Sequence, residues 1–245
     1  VGAHLNIHVA HIQGGEVTGS IDESLRHAMS KFAHIHFPAT KDAARRLRRM
    51  GEDPRFIFHV GCPSIDALLA APVLSREETC RILQMNPHEP YLLVVQHPVT
   101  TERLDAEAQI ATTLEAVAQT GVQSVILYPN NDAGAEAIMK TIRSGSSVRR
   151  IKSLSPEHYA NALRHAAALV GNSSSGIHET ASLRVPTVNI GSRQQGRERP
   201  GNVLDVPHRT AAITKAIHTA LHDRAFRRTL SRIKNPYGDG RSAAR

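Results

Sequence analysis

A chain of 245 residues with 40% apolar side chains can build one large or two ordinary hydrophobic cores, and its composition argues against extended disorder. The formal charge of +8 and pI near 10.0 suit an anionic partner: nucleic acid, an anionic surface or a phosphorylated small molecule. No apolar run approaches about 18 residues and no charged-then-apolar leader opens the chain, which argues against a membrane span or an export signal.

The two cysteines, Cys62 and Cys80, have neither redox nor metal-ligand spacing, so they are read as packing residues in a reducing, cytoplasmic setting. The chain opens abruptly on strand-like LNIHVAHI, which points to sequence upstream of Val1. In the HIQGGEVTGSID that overlaps its end, glycines break the strand. Ser20 stands three residues before Glu23, the spacing of a capping box, so a helix is expected over 21–33 with Leu25, Ala28, Met29 and Phe32 on one face. Arg26 lies four residues after Asp22, a spacing that pairs the two and keeps the carboxylate ionised.

A short strand HIHF, a basic helix over 41–50 capped by Thr40, a strand FIFHVG and a short helix IDALLA come next. The small-residued LAAPVLS, 69–75, is the expected boundary, dividing the chain into residues 1–72 and 73–245. Beyond it Ser75 and Glu78 form a second capping box for the helix REETCRILQM. LLVVQ, a helix over 104–120, VILYP, a helix over 157–167, ALVG, a helix over 175–183, TVNIG and a helix over 208–223 then alternate. Such alternation, with aliphatic runs in the strands, predicts parallel sheets covered by helices. The tail NPYGDGRSAAR reads as a turn and the first residues of one more helix.

The basic runs Lys41, Arg45, Arg46, Arg48, Arg49 and Arg224, Arg227, Arg228, Arg232, Lys234 fall on helical stretches and are read as solvated faces. No RNP-type aromatic pair, zinc-finger spacing or helix-turn-helix pattern accompanies them, so no nucleic-acid partner is expected.

The motif richest in chemistry is LVGNSSSGIHE, 169–179. A strand ends at Gly171 and a helix begins after a run of serines, so unpaired N–H groups, the helix dipole and the hydroxyls of Ser173 and Ser174 all face one point, as a phosphate requires. The other reading is a serine-rich helix cap without a ligand. Glu179, within the first turns of that helix, suits a ribose diol or serves as a dipole-stabilising surface acid. In VVQHPVTT, His97 stands at the carboxyl end of a strand, where open α/β sheets bind ligands, or is one structural histidine among fifteen, and in YPNNDAG the residues Asn130 and Asp132 are turn formers or polar ligands to a diol.

Together HIQGGEVTGSIDESLRHA, FHVGCPSIDALL, VVQHPVTT, YPNNDAG, GNSSSGIHE, VNIGSRQQGRERPGNVL and PYGDG resemble, in order, the signature blocks of the hydrolysing UDP-N-acetylglucosamine 2-epimerases of sialic- and legionaminic-acid-type sugar biosynthesis. The resemblance implies an α/β GT-B-like fold: two Rossmann-type parallel-sheet domains facing a cleft. Residues 1–72 would be the C-terminal part of the acid/base domain, incomplete at its start, and 73–245 the UDP-binding domain with the start of a terminal helix.

The resemblance further implies elimination of UDP from UDP-N-acetylglucosamine and addition of water, giving N-acetylmannosamine. UDP-2,4-diacetamido-2,4,6-trideoxy-glucose is the alternative substrate, and a catalytically impaired UDP-sugar-binding chain the alternative function. By the same likeness His97 lies near the phosphates, Asn130 and Asp132 near uridine or the linking groups, Ser173 and Ser174 hold phosphate, Glu179 binds ribose, and Arg193 offers a fixed positive charge to the leaving group.

For proton transfer the family places acids at the positions of Gln13 and Asp22 and a third upstream of Val1; Arg26 joins this set through its spacing from Asp22. The blocks it is compared with read HIEGGE, so Gln13 is a departure: an amide cannot exchange a proton at neutral pH. Glu16 is the acid that would take over. Neither a metal nor a cofactor is implied. The expected partner is a UDP-activated amino sugar, with no nucleic acid or membrane, in a cytoplasmic enzyme that is a homo-oligomer when full length.

Overall fold

A computed structural model describes residues 2–145 and 148–245. The first half holds a two-stranded parallel sheet, β1 (Ala10–Ile12) beside β2 (Ile35–Phe37), joined through helix α1 (Asp22–Phe32). The expected strand FIFHVG contributes only a bridge between Ile57 and His36, with the Phe58 N–H donating to His36 O at 2.9 Å. Just before it Pro54–Phe56 wind into a 3-10 turn capped by Asp53, which takes the chain out of ladder geometry.

Helix α1 begins differently from its sequence signature. The Glu23 carboxylate reaches past Ser20 to accept the Thr18 N–H at 2.8 Å, while the Ser20 hydroxyl donates to Asp22 Oδ2 at 2.9 Å. The turn has started early: Ile21 already has helical backbone angles, so Ser20 is no longer the capping position. Leu25, Met29 and Phe32 share a face as expected, and that face is exposed.

Helix α2 (Lys41–Arg49) is capped by Thr40 Oγ1, which accepts the Ala43 N–H, and it buries Ala43, Ala44 and Leu47. Arg45, Arg48 and Arg49 face solvent, as do Arg224, Arg227 and Arg228 of a late helix, the solvated faces that spacing predicts. Helix α3 (Pro63–Ala70) closes the first half in sequence, yet its Leu68 packs into the core of the second.

The second half is a six-stranded, all-parallel sheet. Its strands are β3 (Tyr91–Val95), β4 (Gln123–Leu127), β5 (Arg149–Ile151), β6 (Ala168–Gly171), β7 (Thr187–Ile190) and β8 (Val203–Val206), in spatial order β5-β4-β3-β6-β7-β8. Counted from β3 this is 3-2-1-4-5-6, the doubly wound Rossmann order. Both faces are covered. Leu92, Val94, Ile126 and Val170 pack under α5 (Ala106–Gln119), α6 (Ala135–Ser144) and α9 (Thr210–His222); Leu93, Val125 and Leu169 pack under α4 (Arg76–Leu83) and α7 (Pro156–His165). Every residue of β3 is buried, which is why YLLVV reads as an unbroken apolar run.

The Ser75–Glu78 capping box is formed reciprocally at the start of α4. Three elements were not foreseen individually: α6, β5 and β8. The helix expected over 175–183 is a four-residue turn of helix, α8 (Ser175–His178), followed by turns, and α10 (Arg224–Leu230) ends the helical part.

The tail from Asn235 forms turns rather than the start of a helix, because it is spent on the first half. Tyr237 O accepts the Cys62 N–H at 2.7 Å, and the Asp66 carboxylate accepts the N–H groups of Ser242 and Ala243. Ala39, Cys62, Ile65, Ile177 and Tyr237 form a small core that joins the two halves.

Candidate active site

Strands β3 and β6 are neighbours whose outgoing connections run to opposite sides of the sheet, so a crevice opens beyond their carboxyl ends. Two residues close its floor. The Asn172 side chain, fully buried, accepts the His97 N–H at 2.7 Å and donates to His97 O at 2.8 Å. This double bond is possible because Gly171 brings the chains together: it has φ +134°, and a Cβ there would sit 2.1 Å from Val95 O.

His97 Nδ1 accepts the Asn130 N–H at 3.1 Å. The neutral ring therefore carries its proton on Nε2, free to donate to an anion. Burial, reinforced by the nearby Arg193 charge, pushes the His97 pKa down to about 4, so the ring is neutral at physiological pH. Asn130 in turn donates to Asp132, and Asp132 is near enough to His97 and Arg193 to act on both.

Next to this floor lies the serine turn. Ser173 Oγ accepts the Ser175 N–H, and the turn leads into α8. Half-buried Tyr159 packs behind it: the burial of its phenol first and then Glu179 raise its pKa, while the hydroxyls of Ser175 and Ser173 oppose the shift. Glu179, Ser175, Tyr159, Pro156 and Ser64 share a cavity of about 420 Å³, large enough for part of a nucleoside. A separate cavity of about 640 Å³, lined by Lys41, His59, Lys234 and Asp239 among others, contains none of the candidate catalytic or substrate-binding residues read from sequence.

Arg193 and Gln194 follow β7 and both donate to Asn172 O, at 3.2 and 2.8 Å. Here the first half meets the second. The Gly19 N–H donates to Arg193 O at 3.1 Å, and a Cβ on Gly19 would stand 2.0 Å from Ser192 O, so only glycine allows this approach. Asp22, exposed at the start of α1, lies close enough to act on Arg193 electrostatically. Asp22 and Asp132 thus both act on Arg193 electrostatically, and Arg193 and Asp132 both act on His97.

The Asp22–Arg26 ion pair expected from spacing is not formed. Arg26 turns inward and donates to Glu16 O at 3.1 Å, leaving Asp22 to the Ser20 hydroxyl. Gln13 and Glu16 also point inward. Gln13, with φ +61°, directs its amide N–H at Cys62 Sγ, and the Glu16 carboxylate lies 3.4 Å from both His178 Nε2 and Arg197 Nε. Cys62 is therefore more than the packing residue its spacing suggested, whereas Cys80 is plain core; both are free thiols.

Sequence reading overlooked Asn172, Tyr159, Gln194, His178 and Arg197. Asn172 carried a usable signal, an amide directly after a strand-ending glycine; the others are buried or half-buried polar residues, and His178 and Arg197 meet Glu16 from far along the chain.

The family model described as UDP-N-acetylglucosamine 2-epimerase matches residues 1–245. Among curated proteins, the chain is 37% identical over 245 residues to a Legionella pneumophila protein named UDP-N,N'-diacetylbacillosamine 2-epimerase (hydrolyzing), covering 99% of this chain and 64% of that protein. It is 36% identical to a Neisseria meningitidis UDP-N-acetylglucosamine 2-epimerase, covering 90% of this chain and 59% of that one. Among solved structures, the N. meningitidis UDP-GlcNAc 2-epimerase bound to UDP-GlcNAc superposes with a TM-score of 0.81 at 19% identity, over 99% of this chain and 69% of that chain. The fold is accordingly GT-B-like, the chain spans somewhat under two thirds of the length of the curated relatives it matches, and it belongs to the UDP-N-acetylglucosamine 2-epimerase family.

Proposed function

We propose that the protein is the nucleotide-binding and part of the acid/base machinery of a hydrolysing UDP-N-acetylglucosamine 2-epimerase. What supports this reading is that His97 and the Ser173–Ser174 turn follow the neighbouring strands β3 and β6, that Asn172 links His97 to Arg193, and that Asp22 is near enough to act on that arginine. A pyrophosphate would lie against the serine turn and the neutral His97 donor, with its ribose at Glu179 and its uridine and linking groups near Asn130 and Asp132.

The reaction removes the C2 proton and breaks the bond between C1 and the phosphate oxygen, so that UDP departs with the electron pair and a 2-acetamidoglucal remains. Water then adds at C1 and a proton returns to C2 on the opposite face, releasing the 2-epimeric free sugar. Arg193 supports the charge developing on the leaving phosphate, and Asp22 is the acid/base residue. We place this activity in the cytoplasm, in a homo-oligomer when the protein is full length.

A second substrate, UDP-2,4-diacetamido-2,4,6-trideoxy-glucose, is favoured by the name of the 37% identical L. pneumophila relative. Gln13, standing where the family's HIEGGE has an acid, supports a weaker catalyst that binds UDP-sugars. Incubation with each nucleotide sugar in deuterated water decides among them: the proposal expects UDP and N-acetylmannosamine deuterated at C2. Release of UDP only from the diacetamido sugar would move the assignment to that substrate. UDP binding without release of UDP from either would leave a binding protein, and neither binding nor release would overturn the reading.

A further inference from the structure

Glu16 is the centre of a buried polar cluster drawn from separated segments of the chain. Its carboxylate is 5% exposed and lies 3.4 Å from His178 Nε2 and 3.4 Å from Arg197 Nε, side chains 9% and 8% exposed. Each partner leads to a different part of the nucleotide site. His178 belongs to α8 and immediately precedes Glu179; its ring packs against Tyr237 at 4.3 Å and its carbonyl accepts from Asn235 at 2.6 Å. Arg197 donates to Gln194 Oε1 at 2.9 Å, Gln194 donates to Asn172 O, and Asn172 holds the His97 backbone.

On the other side the glycine turn is held by its carbonyls. Arg46 donates to Gly15 O at 2.5 Å and Arg26 to Glu16 O at 3.1 Å. We propose, resting on the reading of the cleft above, that Glu16 is a positioning residue whose carboxylate clamps the turn bearing Gln13, and α1 with Asp22, onto the phosphate and ribose sides of the nucleotide site.

The charges agree with this geometry. Burial works against the ionised carboxylate, but His178, Arg197 and Arg26 together hold Glu16 below the ordinary carboxylate range. Burial and Arg197 work against protonated His178, but Cys62 and Glu16 raise it above the ordinary imidazole value. Tyr237, the other titratable group on this ring, is kept as a neutral phenol by burial. Glu16 is thus ionised at neutral pH, and both shifts favour the charged pair. It is lost as pH falls through the lowered Glu16 value or rises through the raised His178 value.

Cys62 supplies the readout. Its thiol is 1% exposed beside His178 at the seam, whereas Cys80 is 0% exposed inside the second core. Alkylation followed at each cysteine by peptide mass spectrometry therefore separates seam opening from global unfolding. Rates taken across pH allow comparison per thiolate, because the environment of Cys62 also lowers its pKa.

In the ligand-free protein, Glu16→Gln is expected to speed labelling of Cys62 about tenfold per thiolate with Cys80 unchanged, and Glu16→Asp to restore part of the protection. A clamp also predicts that UDP slows labelling of Cys62 in the unsubstituted protein, and that Glu16→Gln weakens UDP binding about tenfold in calorimetry. An unchanged Cys62 rate, or equal acceleration at both cysteines, overturns the proposal. Should Glu16→Gln fail to fold, His178→Asn is read by the same ratio and the same outcomes. If UDP does not bind the unsubstituted protein, the reading of the cleft fails, while the labelling ratio still decides the clamp.

Discussion

Replacing Asn172 by alanine tests whether the switch-point floor is built as described. The side chain makes two hydrogen bonds to one backbone unit, accepting from the His97 N–H at 2.7 Å and donating to His97 O at 2.8 Å, and it is fully buried. Alanine removes both partners at once and leaves a buried donor and a buried acceptor unsatisfied. Each orphaned group costs about 1–3 kcal/mol, so the loss is about 2–4 kcal/mol once water admitted to the small void recovers part of it. With a urea m-value of about 3 kcal/mol/M for a chain of this size, the unfolding midpoint falls by roughly 1 M. The same change frees the His97 loop, so UDP affinity measured by calorimetry falls along with stability. A midpoint shift corresponding to less than about 1 kcal/mol, with UDP binding intact, would refute the idea that this amide fixes the site.

Other expectations follow from single groups. Asp22→Asn removes the proton-exchanging group nearest Arg193 and should lower turnover on the order of a hundredfold; an unaltered rate would remove Asp22 from the chemistry. His97, neutral with its pKa lowered from 6.5 to about 4, lets the unfolded chain bind a proton that the folded protein refuses. Stability therefore declines as pH drops from 6.5 to about 4, by at most roughly 3 kcal/mol, and is insensitive to this group above that window. Urea midpoints should show a flatter acid limb in His97→Gln, and parallel limbs would contradict the assignment. Ser75→Ala removes half of the reciprocal cap on α4 and should cost about 1 kcal/mol, read as a shift in thermal midpoint with UDP binding unchanged.

The second half was legible because its signals are local. The buried run of β3, the Ser75–Glu78 box and the apolar stripe of α5 each lie within one element, and the alternation of such elements specifies a parallel sheet. What escaped was set by distant partners. The three-residue β5 has two exposed residues and too little apolar pattern to announce itself, and β8 is only partly buried. FIFHVG has good strand composition but only a single bridge to β2, and the capping box at Ser20 does not form because Ile21, already helical in its backbone angles, takes the capping position.

The site divides along the same line. Ser173, His97 and Asn130 stand at strand ends, where the sequence marks the end of an apolar run and topology then brings them together; their proximity follows from strand order. Glu16 and Gln13 show the opposite case. Spacing grouped them with Asp22 and Arg26 as one acidic corner, because four polar residues within fourteen positions look like neighbours. The positive φ at Gln13 and the following glycines turn that segment so that Gln13 meets Cys62 and Glu16 meets His178 and Arg197, residues 49, 162 and 181 positions away, while Asp22 stays at the cleft. One short motif thus splits in a way that composition cannot show: its last residue is exposed and near enough to act on Arg193, and its buried acid packs against His178 and Arg197 where the two halves meet.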